Sequence, residues 1–193
     1  MMLTRAEIEV KNDGELVEMA RANPEHYRFL MERYQDPLLR FVRRITQLPV
    51  EDAEDILQET FVKMYRNLND YDSGMKFSSW AYRIAHNAAV DHLRKINVRP
   101  KQVSIEVVDY VKLLPSSVNV ADEIAAKDLA EKVSAVMNEL PIKYREVLIL
   151  RFIEDKSYEE IMDILKKPKG SVATLIDRGR KMLVERMQNN QPL

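Results

Sequence analysis

The stretch SYEEIMDILKKPKGSVATLIDRGRKML, residues 157–183, predicts two helices separated by a tight turn. Ser157 and Glu160 form a capping box, in which each side chain satisfies a free backbone N–H at the start of the first helix. Residues 166–168 form the turn, and Lys169, Gly170 and Ser171 lead into a second helix that is basic at both ends. This arrangement is typical of a helix-turn-helix, whose second helix enters the major groove of DNA.

The second helix separates polar from apolar positions. Helical spacing places Ser171, Thr174, Arg178 and Lys181 on one side. The packing positions predicted opposite them are Val172, Leu175, Ile176, Met182, Leu183 and Met187. Lys169 and the free N–H groups of the first turn can hold a backbone phosphate. A plain three-helix packing unit that binds no DNA is the alternative.

Composition predicts an all-α fold. Of 193 residues, 46% are apolar and 32% are charged, and there are only 4 glycines. We expect two small helical domains, 1–96 and 122–193, joined by an irregular linker, 97–121, because the linker sequence has no helical periodicity. No apolar run approaches membrane-spanning length, the N-terminus lacks a signal-peptide core, and there are no cysteines. These features favour a soluble, cytoplasmic protein without a disulfide framework.

Local signals predict the helices. Asn12 begins a short helix through Met19, and Pro24 begins a longer one that Pro37 should kink or interrupt. Further helices are expected after Pro49, from 122 to 139 and from 141 to 152. Residues 69–74 have loop composition, and Ser78 or Ser79 is the predicted cap of the helix that follows. Trp80 lies on the apolar stripe of that helix and is predicted to be core.

No catalytic constellation is present in the sequence. His26, His86 and His92 form no metal-binding pair at helical spacing, and no phosphate-cradling glycine loop or nucleophile motif occurs. We therefore expect a protein that is not an enzyme and needs no metal, cofactor or small-molecule substrate. The net charge of −1 hides an acidic block at 51–59 and two basic blocks further on.

Four stretches carry a family resemblance. DAEDILQETFVKMYRNL (52–68), KFSSWAYRIAHNAAVDHLRK (76–95), LPIKYREVLILRFIEDKSYEEIMDIL (140–165) and KGSVATLIDRGRKML (169–183) together resemble a bacterial sigma factor of the extracytoplasmic-function (ECF) group. The resemblance implies a two-domain initiation factor that binds core RNA polymerase, recognises the minus-ten and minus-thirty-five promoter elements, and helps to open the duplex.

The resemblance assigns polymerase binding to Asp55, Gln58 and Glu59, which match the D-x-x-Q-E pattern of the family. Asp55 and Glu59 are one helical turn apart and would complement a basic partner surface. An ordinary solvated acidic face is the alternative.

The next segment resembles the family's minus-ten reader, in which a loop and the helix after it hold a base flipped out of the non-template strand. Such a pocket needs stacking surface, polar groups for the base edge and cations for the phosphates. Asn87 matches the asparagine of the family's R-I-A-x-N run and is the expected edge contact. The full predicted set is Tyr71, Lys76, Phe77, Arg83, Asn87, Arg94 and Lys95, with Arg99 and Lys101 following the backbone.

Minus-thirty-five contacts are expected from Lys169, Ser171, Thr174, Asp177, Arg178 and Lys181. The helix departs from the family at Ala173 and Leu175, where basic residues are usual, and at Asp177. Lys166 occupies a place where glycine is common, and a left-handed conformation there costs a lysine about 1 kcal/mol. These departures should change base preference rather than the fold.

The resemblance also implies an anti-sigma factor as a partner, beside core RNA polymerase and promoter DNA, and no membrane insertion. Two alternatives remain open. A freestanding helix-turn-helix regulator would need a dimer interface to read two half-sites, and it leaves the acidic helix unexplained. A helical adaptor that has lost DNA binding would explain the weakened recognition helix.

Overall fold

The structure is a computed structural model that describes residues 8, 10–96 and 123–189, with side chains in the last segment from residue 129 onward. Its regular elements are helical throughout these residues. Two compact units are present, one formed by 1–42 and 50–98 and the other by 43–49 and 99–193. The predicted linker 97–121 lies outside the described residues, so its irregular structure stays a prediction.

Among the described residues, the first unit contains four α-helices, and residues 43–46 of the second of them group with the other unit. The helices are α1 (Asp13–Ala22), α2 (Tyr27–Thr46), α3 (Val50–Arg66) and α4 (Phe77–Ile96). Short 3-10 turns at Pro24–His26 and Leu68–Asp70 precede α2 and follow α3.

The predicted start of α1 is confirmed, but its predicted end is wrong. Asn12 Oδ1 accepts from the Glu15 N–H at 3.0 Å, and Glu15 Oε2 accepts from the Asn12 N–H at 2.8 Å. This capping box satisfies two free donors. The helix continues to Ala22.

Apolar side chains at helical spacing on α2 lie in the core of the first unit. Leu30, Leu38 and Phe41 are fully buried. Pro37 lies inside α2, which runs from Tyr27 to Thr46. The proline removes one hydrogen-bond donor from the ladder but does not divide the helix.

The cap predicted for α4 is wrong. The helix begins at Phe77, and the Trp80 N–H donates to the Lys76 carbonyl at 3.2 Å. Ser79 is fully buried, and its hydroxyl has no hydrogen-bond partner among the described residues. The prediction that Trp80 is core is confirmed, since only 6% of its surface is exposed.

The second unit contains α5 (Glu123–Glu139), α6 (Ile142–Leu148), α7 (Tyr158–Leu165) and α8 (Lys169–Asn189). A π-helical turn, Ile149–Ile153, extends α6, and the Glu154 N–H donates five residues back to the Ile149 carbonyl at 2.9 Å. The helix predicted through Phe152 is therefore confirmed in its extent, but its last turn is π-helical.

The predicted helix-turn-helix is confirmed in its local geometry. Glu160 Oε2 accepts from the Ser157 N–H at 2.9 Å, and the Ser157 hydroxyl accepts from the Glu160 N–H at 3.2 Å. Lys166 ends α7 in the left-handed conformation, with φ 52° and ψ 46°. Gly179, buried on α8, permits close packing on α6, because an added Cβ would lie 3.3 Å from Leu148 Cγ and 3.4 Å from Tyr144 Cβ.

Candidate interfaces for nucleic acid and protein

One exposed stripe runs the length of α3. Asp55 and Gln58 are exposed and share a face with Glu51. The same helical spacing continues to Val62 and Tyr65, whose exposed fractions are 48% and 47%. The stripe is therefore acidic at its start and apolar at its end. Sequence reasoning missed Val62 and Tyr65, although the spacing 51, 55, 58, 62, 65 indicates them.

Glu59 lies at the edge of this stripe and has a partner within α3. Its Oε1 atom is 2.7 Å from the Nζ of Lys63. The hydrogen bond to Lys63 lowers the pKa of Glu59, and the charges of Lys95 and His92 act in the same direction. Glu59 is therefore ionised at neutral pH and lies beside positively charged side chains of α3 and α4.

The segment 69–76, called here the 69–76 loop, has a buried base and an exposed tip. Asp72, Ser73 and Gly74 are exposed, and Asp72 Oδ1 accepts from the Gly74 N–H at 2.8 Å. The Met75 N–H donates to the Asp72 carbonyl at 3.2 Å. Lys76 is exposed beside this tip.

Tyr71 and Phe77 were expected to provide stacking surface, and the structure buries both. Their exposed fractions are 8% and 2%. Their ring centroids lie 5.3 Å apart, and each lies 5.4 Å from that of Trp80. The Tyr71 hydroxyl donates to the Met75 carbonyl at 2.6 Å, which ties the cluster to the loop. In this conformation neither ring presents an open face on which a base could stack. The two rings instead pack in the interior of the unit and support the base of the loop.

The polar face of α4 carries the other predicted contacts of this region. Asn87 is exposed, and Arg83 lies half-buried one turn before it. Arg94 and Lys95 are exposed near the end of the helix, where Arg94 Nη1 lies 3.3 Å from Asp91 Oδ1. Arg83, Asn87 and Arg94 share one face, as spacing predicts.

The predicted reading side of α8 is exposed. Ser171, Thr174, Arg178 and Lys181 all face solvent. The Thr174 hydroxyl donates to the carbonyl of Gly170 at 2.8 Å, which leaves its oxygen able to accept.

Two of the predicted cations have acidic partners within the second unit. Lys181 Nζ lies 3.2 Å from Asp177 Oδ2, and Lys169 Nζ lies 3.7 Å from Glu159 Oε1. All four side chains are well exposed, so each pair contributes at most about 1 kcal/mol. Phosphates can displace such partners at small cost.

An open groove lies beside the start of α8. It is lined by Lys143, Lys167, Gly170, Ser171, Thr174 and Leu175. Leu175 was expected to pack inward with Ile176, but it is only half-buried, whereas Ile176 is 5% exposed. Lys143, from α6, was missed because no local pattern relates it to α8.

No helix in the described segments is long and apolar enough to cross a membrane. The same residues contain no group of three or more histidine or acidic side chains arranged to hold a metal ion.

Two family models match the chain in order. The model described as Sigma-70 region 2 matches residues 30–98, and the one described as Sigma-70, region 4 matches residues 130–183. The first match contains α3, the 69–76 loop and α4, and the second contains the helix-turn-helix.

Curated relatives cover most of the chain. The ECF RNA polymerase sigma factor SigW of Bacillus subtilis is 33% identical over 167 residues, which are 83% of this chain and 88% of the relative. The ECF RNA polymerase sigma-E factor of Escherichia coli is 29% identical over 182 residues, 91% of this chain and 94% of the relative.

Solved structures share the fold. CnrH, solved in complex with the cytosolic domain of CnrY, matches with a TM-score of 0.68 at 23% identity, over 93% of this chain and 99% of that one. The sigma factor RpoE of Bartonella quintana, solved with the anti-sigma factor NepR, matches with a TM-score of 0.63 at 20% identity, over 86% and 98%.

Proposed function

Because the chain belongs to the ECF group of sigma-70 RNA polymerase sigma factors, we propose that it docks on core polymerase through α3 and reads promoter DNA through two separate surfaces. The observation that carries this proposal is the pairing of an exposed, partly acidic helix face with an exposed helix-turn-helix in one chain. A DNA-binding regulator acting alone has no use for the first surface.

Polymerase docking rests on the stripe of α3. Asp55 and Gln58 supply charge and hydrogen-bonding capacity, which steer a basic partner surface into register. Val62 and Tyr65 extend the stripe with apolar area that is already exposed. Such a combination of a polar part and an aromatic anchor is favourable for a protein interface.

Minus-ten reading is assigned to the tip of the 69–76 loop and the polar face of α4. Asn87 contacts a base edge, while Lys76, Arg83, Arg94 and Lys95 hold phosphates. Tyr71 and Phe77 support the loop from within. Minus-thirty-five reading is assigned to Ser171, Thr174, Asp177, Arg178 and Lys181 on α8, with Lys169 on the backbone.

The remaining roles follow from this assignment. The chain acts as an initiation factor without catalysis of its own, because the polymerase performs the chemistry. It works in the cytoplasm, where polymerase and promoter DNA are present. An anti-sigma factor is a further proposed partner, and the solved complexes of CnrH with CnrY and of RpoE with NepR support it by shared fold.

Reconstitution tests the proposal. The purified chain is mixed with core polymerase, and promoters are selected from a random duplex library by transcription. We expect co-elution with core and transcription from the selected promoters. Absence of core binding would contradict the proposal, and core binding without transcription from any selected promoter would favour the adaptor alternative.

Charge reversal tests the docking face. Asp55→Lys should weaken core binding about tenfold, because it places like charges across the interface. Adding Glu59→Lys should weaken it further. Glu131→Lys, at an exposed position of α5, is the matched control and should leave core affinity unchanged. Equal affinity of Asp55→Lys and wild type would remove α3 from the interface.

A further inference from the structure

Arg21, at the end of α1, holds the base of the 69–76 loop through backbone carbonyls. Its Nη2 donates to the Leu68 carbonyl at 3.0 Å and to the Tyr71 carbonyl at 2.8 Å. Nε also donates to the Leu68 carbonyl, at 3.2 Å, and Nη2 makes a longer contact of 3.4 Å to the Asn69 carbonyl. One guanidinium thus bridges carbonyls from Leu68 to Tyr71.

Leu68 and Asn69 belong to the 3-10 turn Leu68–Asp70, and Tyr71 is the C-cap of that turn. The Leu68 carbonyl also accepts from the Tyr71 N–H at 3.3 Å, so Arg21 adds side-chain donors to a turn with one backbone hydrogen bond at its end. The planar fork of arginine can serve several such acceptors at once, which the point charge of a lysine cannot do with the same geometry. About a quarter of the Arg21 side-chain surface is exposed. The contacts are therefore largely shielded from water.

Tyr71 is held on both sides. Its carbonyl accepts from Arg21, while its hydroxyl donates to Met75 at 2.6 Å and its ring packs on Phe77 and Trp80. Between these attachments only the tip, residues 72–74, faces solvent. The position of the tip therefore depends on where Arg21 holds the loop.

We propose that Arg21 is a positioning residue for minus-ten recognition, which sets the shape of the 69–76 loop and so its discrimination between bases. The inference rests on the proposed function of this loop. Arg21 belongs to none of the predicted contacts with DNA, and it acts through the backbone of residues 68–71. Its effect on base choice therefore depends on guanidinium geometry and not on charge.

Two substitutions separate geometry from charge. Arg21→Lys keeps the positive charge but loses the fork, and Arg21→Gln loses both. Holoenzymes made with each variant are titrated with fluorescent single-stranded oligonucleotides carrying the minus-ten strand of a promoter selected by wild type, either matched or with one base changed. We expect both variants to bind the matched strand about fivefold to tenfold more weakly, with a smaller ratio between matched and changed strands.

Two control variants exclude a general loss of structure. Glu18→Gln removes the carboxylate that lies 2.7 Å from Arg21 Nη1 and keeps the carbonyl contacts, so its discrimination should equal that of wild type. Arg33→Gln removes another guanidinium that binds Asp13 and two backbone carbonyls, those of Ile8 and Lys11, far in sequence from the loop. It should lower stability and leave discrimination unchanged.

Wild-type discrimination in Arg21→Lys would overturn the proposal, and so would an equal loss of affinity for matched and changed strands. Failure of the wild-type chain to bind core would instead count against the proposed function. Hydrogen exchange of the free protein then tests, without DNA, whether Arg21 holds the loop. The amides of Tyr71, Gly74 and Met75 should exchange faster in Arg21→Lys than in Arg33→Gln. Equal exchange would refute the positioning role.

Discussion

The 69–76 loop and helix α8 are the two proposed DNA-reading surfaces, and they are built in different ways. The loop takes its shape from residues far away in sequence, since Arg21 reaches carbonyls 47 to 50 residues further on. The reading face of α8 is set by helical spacing within a few turns, and only its docking depends on distant residues such as Leu148. We conclude that perturbing tertiary contacts should alter the loop more than the reading face of α8.

Alkaline pH should produce the largest effect, and in the first unit. Burial raises the pKa of both Tyr27 and Tyr34 above the ordinary range, and the hydrogen bond to Asp13 adds to the shift at Tyr34. Because the pKa of each tyrosine is higher in the folded state than in the unfolded state, the stability that its protonated form contributes is fully present below the ordinary tyrosine pKa. That contribution is lost as the pH rises above it. Above about pH 10, each tyrosine should reduce the free energy of unfolding by up to about 1.4 kcal/mol per pH unit.

The single tryptophan, Trp80, makes this measurement specific to the first unit. Urea unfolding followed by its fluorescence should show a midpoint that falls steeply as the pH rises above about 10. The double variant Tyr27→Phe, Tyr34→Phe should flatten that dependence. An unchanged slope in the double variant would show that other groups cause the alkaline loss.

Gly179→Val should destabilise the second unit by about 1 to 3 kcal/mol, because the added carbons overlap Leu148 and Tyr144 where α8 packs on α6. In urea unfolding, the helical circular dichroism signal should then begin to fall at a lower urea concentration than in wild type. The midpoint measured by Trp80 fluorescence should stay at its wild-type value. Gly170→Ala is the matched control, since an added Cβ there meets no atom within 4 Å. A shift of both signals together would mean that the units do not unfold separately.

Arg178→Ala should weaken binding to a minus-thirty-five duplex by about 1 to 3 kcal/mol and relax the preference for one base pair. Arg180→Ala is the comparison, because the Arg180 guanidinium lies 5.5 Å from the ring centroid of Phe152 and Arg180 is not among the residues assigned to base reading. Fluorescence anisotropy with single-base duplex variants measures both quantities. If Arg180→Ala relaxes base preference as much as Arg178→Ala does, the reading side is wrongly assigned.

Asp177→Asn should have the smallest effect, and a favourable one. It releases Lys181 and removes a negative charge near the phosphates, so duplex affinity should rise by about twofold to threefold at low salt. Glu159→Gln releases Lys169 in the same way and serves as a second measurement. Weaker binding by Asp177→Asn would indicate that the carboxylate itself contacts a base.

Local patterns were sufficient for much of the second unit. The capping box of Ser157 and Glu160 and the helix from Tyr158 to Leu165 follow from contacts between residues three and four apart. The left-handed conformation of Lys166 was anticipated because glycine is common at that place in the family. The π-helical turn was not, because a five-residue backbone bond has no apolar signature of its own.

The apolar character of a residue did not predict whether its side chain is buried or exposed. Tyr71 and Phe77, predicted as stacking groups, are buried, and Leu175, predicted as a packing position, borders a groove. A ring or a leucine can serve either role, so only the elements packed around it decide its exposure.

The sequence by itself therefore determined the helices, the capping boxes of α1 and α7, the family and the polar side of α8, because each depends on short-range spacing or on a motif. Tertiary structure alone decided how the 69–76 loop is held, which rings are buried and how closely α8 approaches α6. The physical reason is that Arg21 and Gly179 act on partners distant in sequence. Their hydrogen bonds and close contacts exist only once the chain has folded.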